Sequence, residues 1–404
     1  MGILLTSLQV KTPARFSKVF PQYFLCIYAV TAGFSRAGVH LAIALLAIVF
    51  IALRGFKQPI DPTLGKAFAA MFAVFAVTSF FSPNVQVSLT VLGLCVYRVL
   101  PFAYAYSFTK SKKDIDNLLI ILAVSVLFGS LIAIWQGTHV QFDPANPSGS
   151  RAKSFLGIMD FAGTLGVLIP ILLVKSFGDN YNHYYRAVFI VSLITSCVAL
   201  LFNGTRAVWL AVFVSFLVYM LLEGFKNKKI FVWLMVLMLG LGTIVANNPL
   251  AWDRLVLISD TTFVSNTKRV EMWQQGWEAF CEYPVAGSGL GCIPPKGFNK
   301  MTPQEYDDTP RYHNHVHNNF LQILAETGIG GFVTFTALFG VILSKAWSRI
   351  NAEQHREFAL IALLSTLNFL LHGLFDYTFI MATVMYIYWF VIGLCYREFT
   401  FTDT

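Results

Sequence analysis

The sequence predicts an all-α polytopic integral membrane protein of about 12 transmembrane helices, and three observations predict it. Of its 404 residues, 56% are apolar, 15% aromatic and only 12% charged, a composition that cannot furnish a soluble surface. Apolar stretches matching the roughly 20 helical residues needed to cross a hydrocarbon core recur through almost the whole chain. Lys and Arg gather in alternate loops, as they do when short basic loops resist translocation.

The spans are expected near 19–35, 39–53, 66–82, 87–108, 117–136, 154–174, 187–203, 206–224, 230–247, 319–344, 357–376 and 379–396. The first follows Lys11, Arg15 and Lys18, lacks a small-residue cleavage pattern and is soon joined by further spans. It is therefore read as retained rather than as a secretory signal. An even number of spans puts both termini on one side. That side also receives Arg54, Lys57 and Lys66; Lys110, Lys112 and Lys113; Lys175 and Arg186; Lys226, Lys228 and Lys229; Lys345, Arg349 and Arg356; and Arg397. The termini are thus expected in the cytoplasm, and the net charge of +8 is mainly a topology signal. Its dispersal in small groups, without a basic stripe interleaved with aromatics, excludes a nucleic-acid partner.

The chain reads as a single transmembrane domain, 1–404, whose one long loop, 248–318, lies outside the cytoplasm and caps the face from which it emerges. A loop this long is partly folded and usually functional. The smaller outer loop 137–153 is rich in Pro, Gly and Ser and reads as irregular. Cys26, Cys95, Cys197 and Cys395 fall in or at spans as small apolar residues. Cys281 and Cys292 share the outer loop, where a disulfide is permitted. The absence of an internal repeat gives no support to an inverted-repeat transporter.

Polar clusters at or inside a membrane are costly and are functional candidates. Three fall on the outer face. In "NGTRAVW", 203–209, the chain turns and re-enters as a helix beginning at Arg206. Its first-turn N–H groups, dipole end and guanidinium suit an anion; the structural alternative is a snorkelling Arg beside a Thr cap. In "NTKRVEMWQQGWEAFCEYPVAGSGLG", 266–291, Trp273, Gly276 or Trp277, and Phe280 recur at helical spacing. They suggest an amphipathic helix along the interface with indoles at headgroup depth. Arg269, beside Lys268, lies one turn before Trp273, and the Pro-Gly-rich end permits tight backbone approach to a neighbour or ligand.

The third cluster is "HNHVHNN", 313–319, which opens a long apolar run. His317 and Asn318 stand at a helix N-terminus, which disfavours imidazolium and suits a general base. His313, His315 and His317 would share a face if extended, leaving open a metal reading as well as a ligand-contacting or purely structural one. Gly328, Gly330 and Gly331 make a small-residue face for helix contact. Arg98, midway along the fourth span, requires a cavity or a partner, and a structural ion pair would serve. Asp376, one turn after His372, could orient a basic group or cap. Arg151 and Lys153 extend the outer positive patch.

These residues resemble the O-antigen ligase family, within a superfamily that also holds O-antigen polymerases and O-oligosaccharyltransferases. The ligase pattern of His, Asn, nine residues, Gly, two residues and Gly is met by His317, Asn318, Gly328 and Gly331. "GTRA" with Arg206, "KRVEMW" with Arg269, the P-x-x-G-x-G-x-G turn and "HGLFD" also resemble superfamily features. The resemblance implies a glycosyltransferase-C-like fold and transfer of a polysaccharide from undecaprenyl pyrophosphate to a sugar hydroxyl of lipid A-core. That transfer would take place on the periplasmic face of a Gram-negative inner membrane, amid membrane lipids, with no metal or other cofactor; a monomer is compatible with the sequence, which does not fix the oligomeric state. Arg206 and Arg269 would hold the pyrophosphate, and His317 would act as base in an inverting displacement. Arg98, Lys268, Asn318, His313, His315, Trp273 and Asp376 are expected to contact substrate. A polymerase or protein O-oligosaccharyltransferase of the same superfamily is the alternative; the short end after the last span speaks against a protein transferase. A flippase would need polar groups distributed through the bilayer depth, and apart from Arg98 and Asp160 such charges are few.

Overall fold

A computed structural model describes residues 16–53, 55, 60–139, 151–178, 182–257, 264–294 and 315–401. Its elements are α1 (Phe16–Ala32), α2 (Arg36–Ala52), α3 (Pro62–Phe80), α4 (Val85–Phe108), α5 (Lys112–His139), α6 (Ile158–Phe177), α7 (His183–Asn203), α8 (Arg206–Tyr219, continued by a π turn Met220–Gly224), α9 (Lys228–Asn247), α10 (Pro249–Val256), α11 (Val264–Glu282), α12 (Asn319–Arg349), α13 (Arg356–His372) and α14 (Ala382–Glu398). No strand occurs among the described residues. The protein is an all-helical polytopic membrane protein.

Each of the twelve expected spans coincides with a helix. Eight of them, α3 to α9 and α12, are long and apolar enough to cross a membrane. The other four, α1, α2, α13 and α14, have 17 residues each, a rise of about 26 Å at 1.5 Å per residue. The starts follow side-chain chemistry: Ser35, Asp61, Asn84, Asn182, Asn227, Asn248 and Asn318 each accept from a first-turn amide, satisfying donors that have no intrahelical partner.

The core lies around α6 and α14. Every residue from 383 to 396 is buried, and 83% of the apolar window of α6 is buried inside the protein. Helices apolar all round belong in such positions. Trp389 packs against Phe68, Phe102, Phe339 and Tyr388, tying α14 to α3, α4 and α12. By contrast α9 stands at the margin with 11% of its window buried.

Lysines and arginines of alternate loops meet at one end of the bundle, as their spacing predicts. Lys175 pairs with Asp116 at 3.0 Å and Glu357 at 2.8 Å, Lys345 with Asp61 at 2.7 Å, and Arg356 with Glu223. We call this the basic end; the opposite end carries the three polar clusters.

One expectation needs correction here. Gly328 does not extend a smooth small-residue face: at φ +64° and ψ −168° it breaks α12. Gly330 and Gly331 do face α3, near Val74 and Phe75. The "PVAGSGLG" turn fills the break. Ile329 N donates to Pro284 O at 3.0 Å, Ser288 N to Ala325 O at 2.9 Å, and Gly289 N to Glu326 O at 2.9 Å. The turn therefore replaces lost helical hydrogen bonds, and its close approach is to a neighbouring helix. Of the two outer-loop cysteines, for which a disulfide was permitted but not required, Cys281 is exposed, Cys292 is buried, and both are free.

A Cβ at Gly328 would lie 2.2 Å from Val285 O, a backbone atom that cannot swing aside. Gly328→Ala is therefore expected to cost at least about 1–3 kcal/mol from the left-handed φ alone, with the clash adding to it. A thermal unfolding midpoint in detergent unchanged from the parent protein would refute this account of the kink.

Candidate active site

The loop between α13 and α14 straps down the segment entering α12. Asn319 N donates to Gly373 O at 2.6 Å, Asn319 Nδ2 to Thr378 Oγ1 at 2.7 Å, and Phe379 N to Asn319 Oδ1 at 3.1 Å. Asn318 caps α12, accepting from Phe320 N and Leu321 N, while its Nδ2 donates to Leu374 O at 3.0 Å. Its side chain is thus engaged within the fold. His317 is held at φ +49°, a left-handed conformation that persists in a bulky residue only where surroundings over-determine it.

That geometry puts His317 Nδ1 2.9 Å from Asp376 Oδ1. A carboxylate can only accept, so Nδ1 carries the hydrogen and Nε2 is left as the basic nitrogen. The His317 side chain is 29% exposed, whereas that of Asp376 is 3% exposed: the imidazole opens outward from a buried anchor. Burial alone would raise the Asp376 pKa, but the His317 hydrogen bond and nearby His372 hold it below the ordinary carboxylate range. The first-turn amides of α12 are taken by Asn318, so what positions His317 is the carboxylate rather than the helix end. His315 lies beside it, ring centroids 4.0 Å apart. Its pKa is lowered by burial and by His317, and its buried Nδ1 has no partner. His313 lies outside the described residues, and among those described no group of three or more His, Cys, Asp or Glu is placed to hold a metal.

Asp376→Asn is expected to lower activity by about 10²-fold or more, because an amide can support the wrong tautomer. The folded carboxylate titrates below its ordinary value of about 4. Its contribution to stability is therefore full above that value and lost as pH falls through the lower folded pKa. The variant should lack this acid sensitivity; an unchanged acid limb in thermal unfolding would count against the pair.

The guanidinium groups come from four separate elements. Asn203 ends α7 and bonds Ala152 O at 2.7 Å and Ile158 O at 2.9 Å through Nδ2. Gly204, at φ +70°, makes the turn; a Cβ there would meet Arg254 at 3.7 Å and Arg151 at 3.8 Å. Arg151 donates from Nε to Asn203 O and from Nη2 to Thr205 Oγ1, each at 2.7 Å. The Thr205 hydroxyl, engaged by Arg151 and Asn203, caps no amide of α8, so the structural alternative of a Thr cap is not what forms. Arg206 donates to Leu257 O and, at 2.9 Å, to Asn266 Oδ1, joining α8 to the end of α10 and the start of α11. Arg269 follows Asn266 by three residues and so shares its face of α11.

The charges feel one another. Burial lowers the Arg151 pKa, and Arg254, Arg206 and Arg269 lower it further, with Asp376 opposing. Burial also lowers Arg269, again opposed by Asp376. Guanidiniums remain charged at neutral pH. Arg151 and Arg269 sense the buried carboxylate of Asp376, which is already paired with His317, and the N-terminus of α8 beside them has no side-chain cap. Four neighbouring guanidiniums beside an uncapped helix N-terminus suit a multiply charged anion.

The remaining expected residues are spread more widely. Trp273 packs with Leu321 over Ala279 and Val316 and lies 6.5 Å from Phe375. Its face of α11 is therefore docked on the protein, while Trp277 points outward at 55% exposure. The two indoles do not share one membrane-facing stripe. Lys268 is exposed on α11. Arg98 is buried with Nε and Nη1 unpartnered; its electrostatic neighbours are Cys95, Tyr377 and Tyr386, and it does not join the guanidinium group.

Two features went unread in the sequence. Arg254 belongs to the arginine group, signalled only by the Asn248-Pro249 helix start that projects it. Glu326, seven residues beyond Asn319 and fully interior, accepts from Gln322 Nε2 at 2.7 Å, Gly291 N at 2.8 Å and Tyr377 Oη at 3.3 Å. An acid inside an apolar run is itself the signal that would have found it. Arg36 and Asp160 form a further ion pair at the same end.

A family model described as O-antigen ligase matches residues 191–336. The matched segment contains Arg206, Arg254, Arg269 and His317, and it supports the O-antigen ligase family read from the motifs. Arg151 and Asp376 lie outside it. No curated protein sequence matches the chain.

Proposed function

We propose that this membrane protein, supported as an O-antigen ligase family member by the match over 191–336, is a glycosyltransferase acting on a polyprenyl-pyrophosphate-linked donor. In our reading it moves a polysaccharide from undecaprenyl pyrophosphate to a sugar hydroxyl of lipid A-core. The observation that carries the proposal is the meeting of an Asp-anchored histidine with four arginines at one end of the bundle.

The residues suit each requirement of such a displacement. The donor's leaving group is a diphosphate, and Arg206 and Arg269, with Arg151 and Arg254 beside them, offset the charge that grows as the anomeric C–O bond breaks. His317 Nε2 takes the proton of the acceptor hydroxyl as its oxygen attacks the anomeric carbon from the opposite side, inverting that centre. The imidazolium formed is stabilised by Asp376 through Nδ1–H. The new glycosidic bond leaves polyprenyl pyrophosphate on the arginines, and the proton on His317 passes to solvent. Below Arg206, an apolar groove of about 430 Å³ between α7, α8 and α9 suits part of a polyprenyl chain entering laterally. On this reading the arginine end faces the periplasm and the basic end the cytoplasm.

A chain reconstituted in proteoliposomes with defined donor separates the readings. Sugar appearing on lipid A-core supports the ligase; glycan joined to a second donor molecule, with lipid A-core unmodified, would replace it by a polymerase.

A further inference from the structure

We infer that the groove between α7 and α9 binds one anionic phospholipid of the leaflet at the basic end, independently of the reaction proposed above. The groove measures about 520 Å³ and runs from the end of α6 along α7 and α9. Its walls are apolar, with Leu193, Trp233 and Leu237 among them, and its mouth is lined by Arg186, Asn227 and Lys229.

Four observations point to this occupant. Arg186 lines the mouth and spends Nη2 on Gly178 O at 2.7 Å, while its buried Nε has no partner, so its guanidinium is not fully satisfied within the fold. Lys229 is exposed beside it on the first turn of α9, a 20-residue helix whose dipole favours an anion there. No carboxylate pairs with either side chain among the described residues. Beneath these cations the apolar channel lacks helix packing, because α9 is the least buried of the long helices. A phosphate headgroup on Arg186 and Lys229, with acyl chains along the groove, satisfies both ends. Basic pockets between helices bind anionic lipid headgroups in this way.

The donor's tail is the competing occupant, since Leu241 lines both this groove and the one below Arg206. It would carry its charge at the opposite end, however, and leaves the cations here unused. Native mass spectrometry of the full chain, offered phosphatidylglycerol, phosphatidylcholine and undecaprenyl phosphate together, tests the assignment. The parent protein should retain one phosphatidylglycerol in preference to phosphatidylcholine. Arg186→Gln with Lys229→Gln should reduce that preference roughly 30-fold, and Arg186→Lys with Lys229→Arg should keep it. The inference is overturned if the parent shows no preference, or if the neutral double variant keeps it. It is also overturned if the retained lipid is undecaprenyl phosphate, lost in Arg206→Ala and unaffected at Arg186 and Lys229.

Discussion

His317→Ala should lower glycan transfer by about 10²–10⁴-fold, the range over which a positioned general base acts, while leaving the protein inserted and folded. Folding is expected to survive because the local structure is held by its neighbours. Asn318 caps α12, and Asn319 ties the segment to the α13–α14 loop. Replacing His317 also relieves none of those bonds. Donor binding should be retained, since the arginines are untouched, so the loss belongs in the rate of transfer and not in donor affinity. His315→Ala is a useful contrast: its ring touches His317 but its own nitrogen has no acidic anchor. A His317→Ala protein with full transfer activity would remove this residue from the reaction.

Arg206→Ala and Arg269→Ala should each lower transfer by about 10²–10³-fold, as expected when a donor to developing negative charge is removed from a preorganised site. The two are not expected to behave alike in stability. Arg206 holds the α10–α11 connection through Leu257 O and Asn266, so its loss should also loosen that cap. No hydrogen bond or ion pair of Arg269 is formed with the described residues, so its loss should be confined to donor binding and transfer. Lys268→Ala supplies the control, being exposed on the same helix. Single-turnover rates and donor affinity measured in parallel check these expectations. Equal activity of Arg269→Ala and the parent would mean that the arginine group serves packing.

The positions of the helices were legible because apolar length and capping residues are local properties: all twelve expected spans coincide with helices, eight of them long and apolar enough to cross a membrane. Within the candidate site, Arg206 and His317 were readable for a similar reason, each sitting where a polar turn meets an apolar run, and Arg269 as a cation one turn before Trp273 on a polar helix. What could not be read is which turns meet. The His317–Asp376 bond joins residues 59 apart in sequence, and the Arg151–Thr205 bond joins residues 54 apart; nothing in either segment specifies the other. The glycine turn at 287–291 was ambiguous between ligand and neighbour until Gly328 was seen to break α12 and offer it backbone partners. Trp273 and Trp277 were placed on one face by spacing alone, but Gly276 lets Val316 and Leu321 approach and draws only the Trp273 side inward. Asn318 fits a motif, yet its side-chain amide is consumed by the helix it begins and by Leu374 O.

The most direct test of the central claim is analysis of the linkage formed by the purified chain in proteoliposomes, with a polyprenyl-pyrophosphate glycan of known anomeric configuration and lipid A-core. We predict one new glycosidic bond of inverted configuration for each polyprenyl pyrophosphate released, and none with His317→Ala. Passage of the lipid-linked glycan across the bilayer with its covalent linkage unchanged, or a product of retained configuration, would contradict the account.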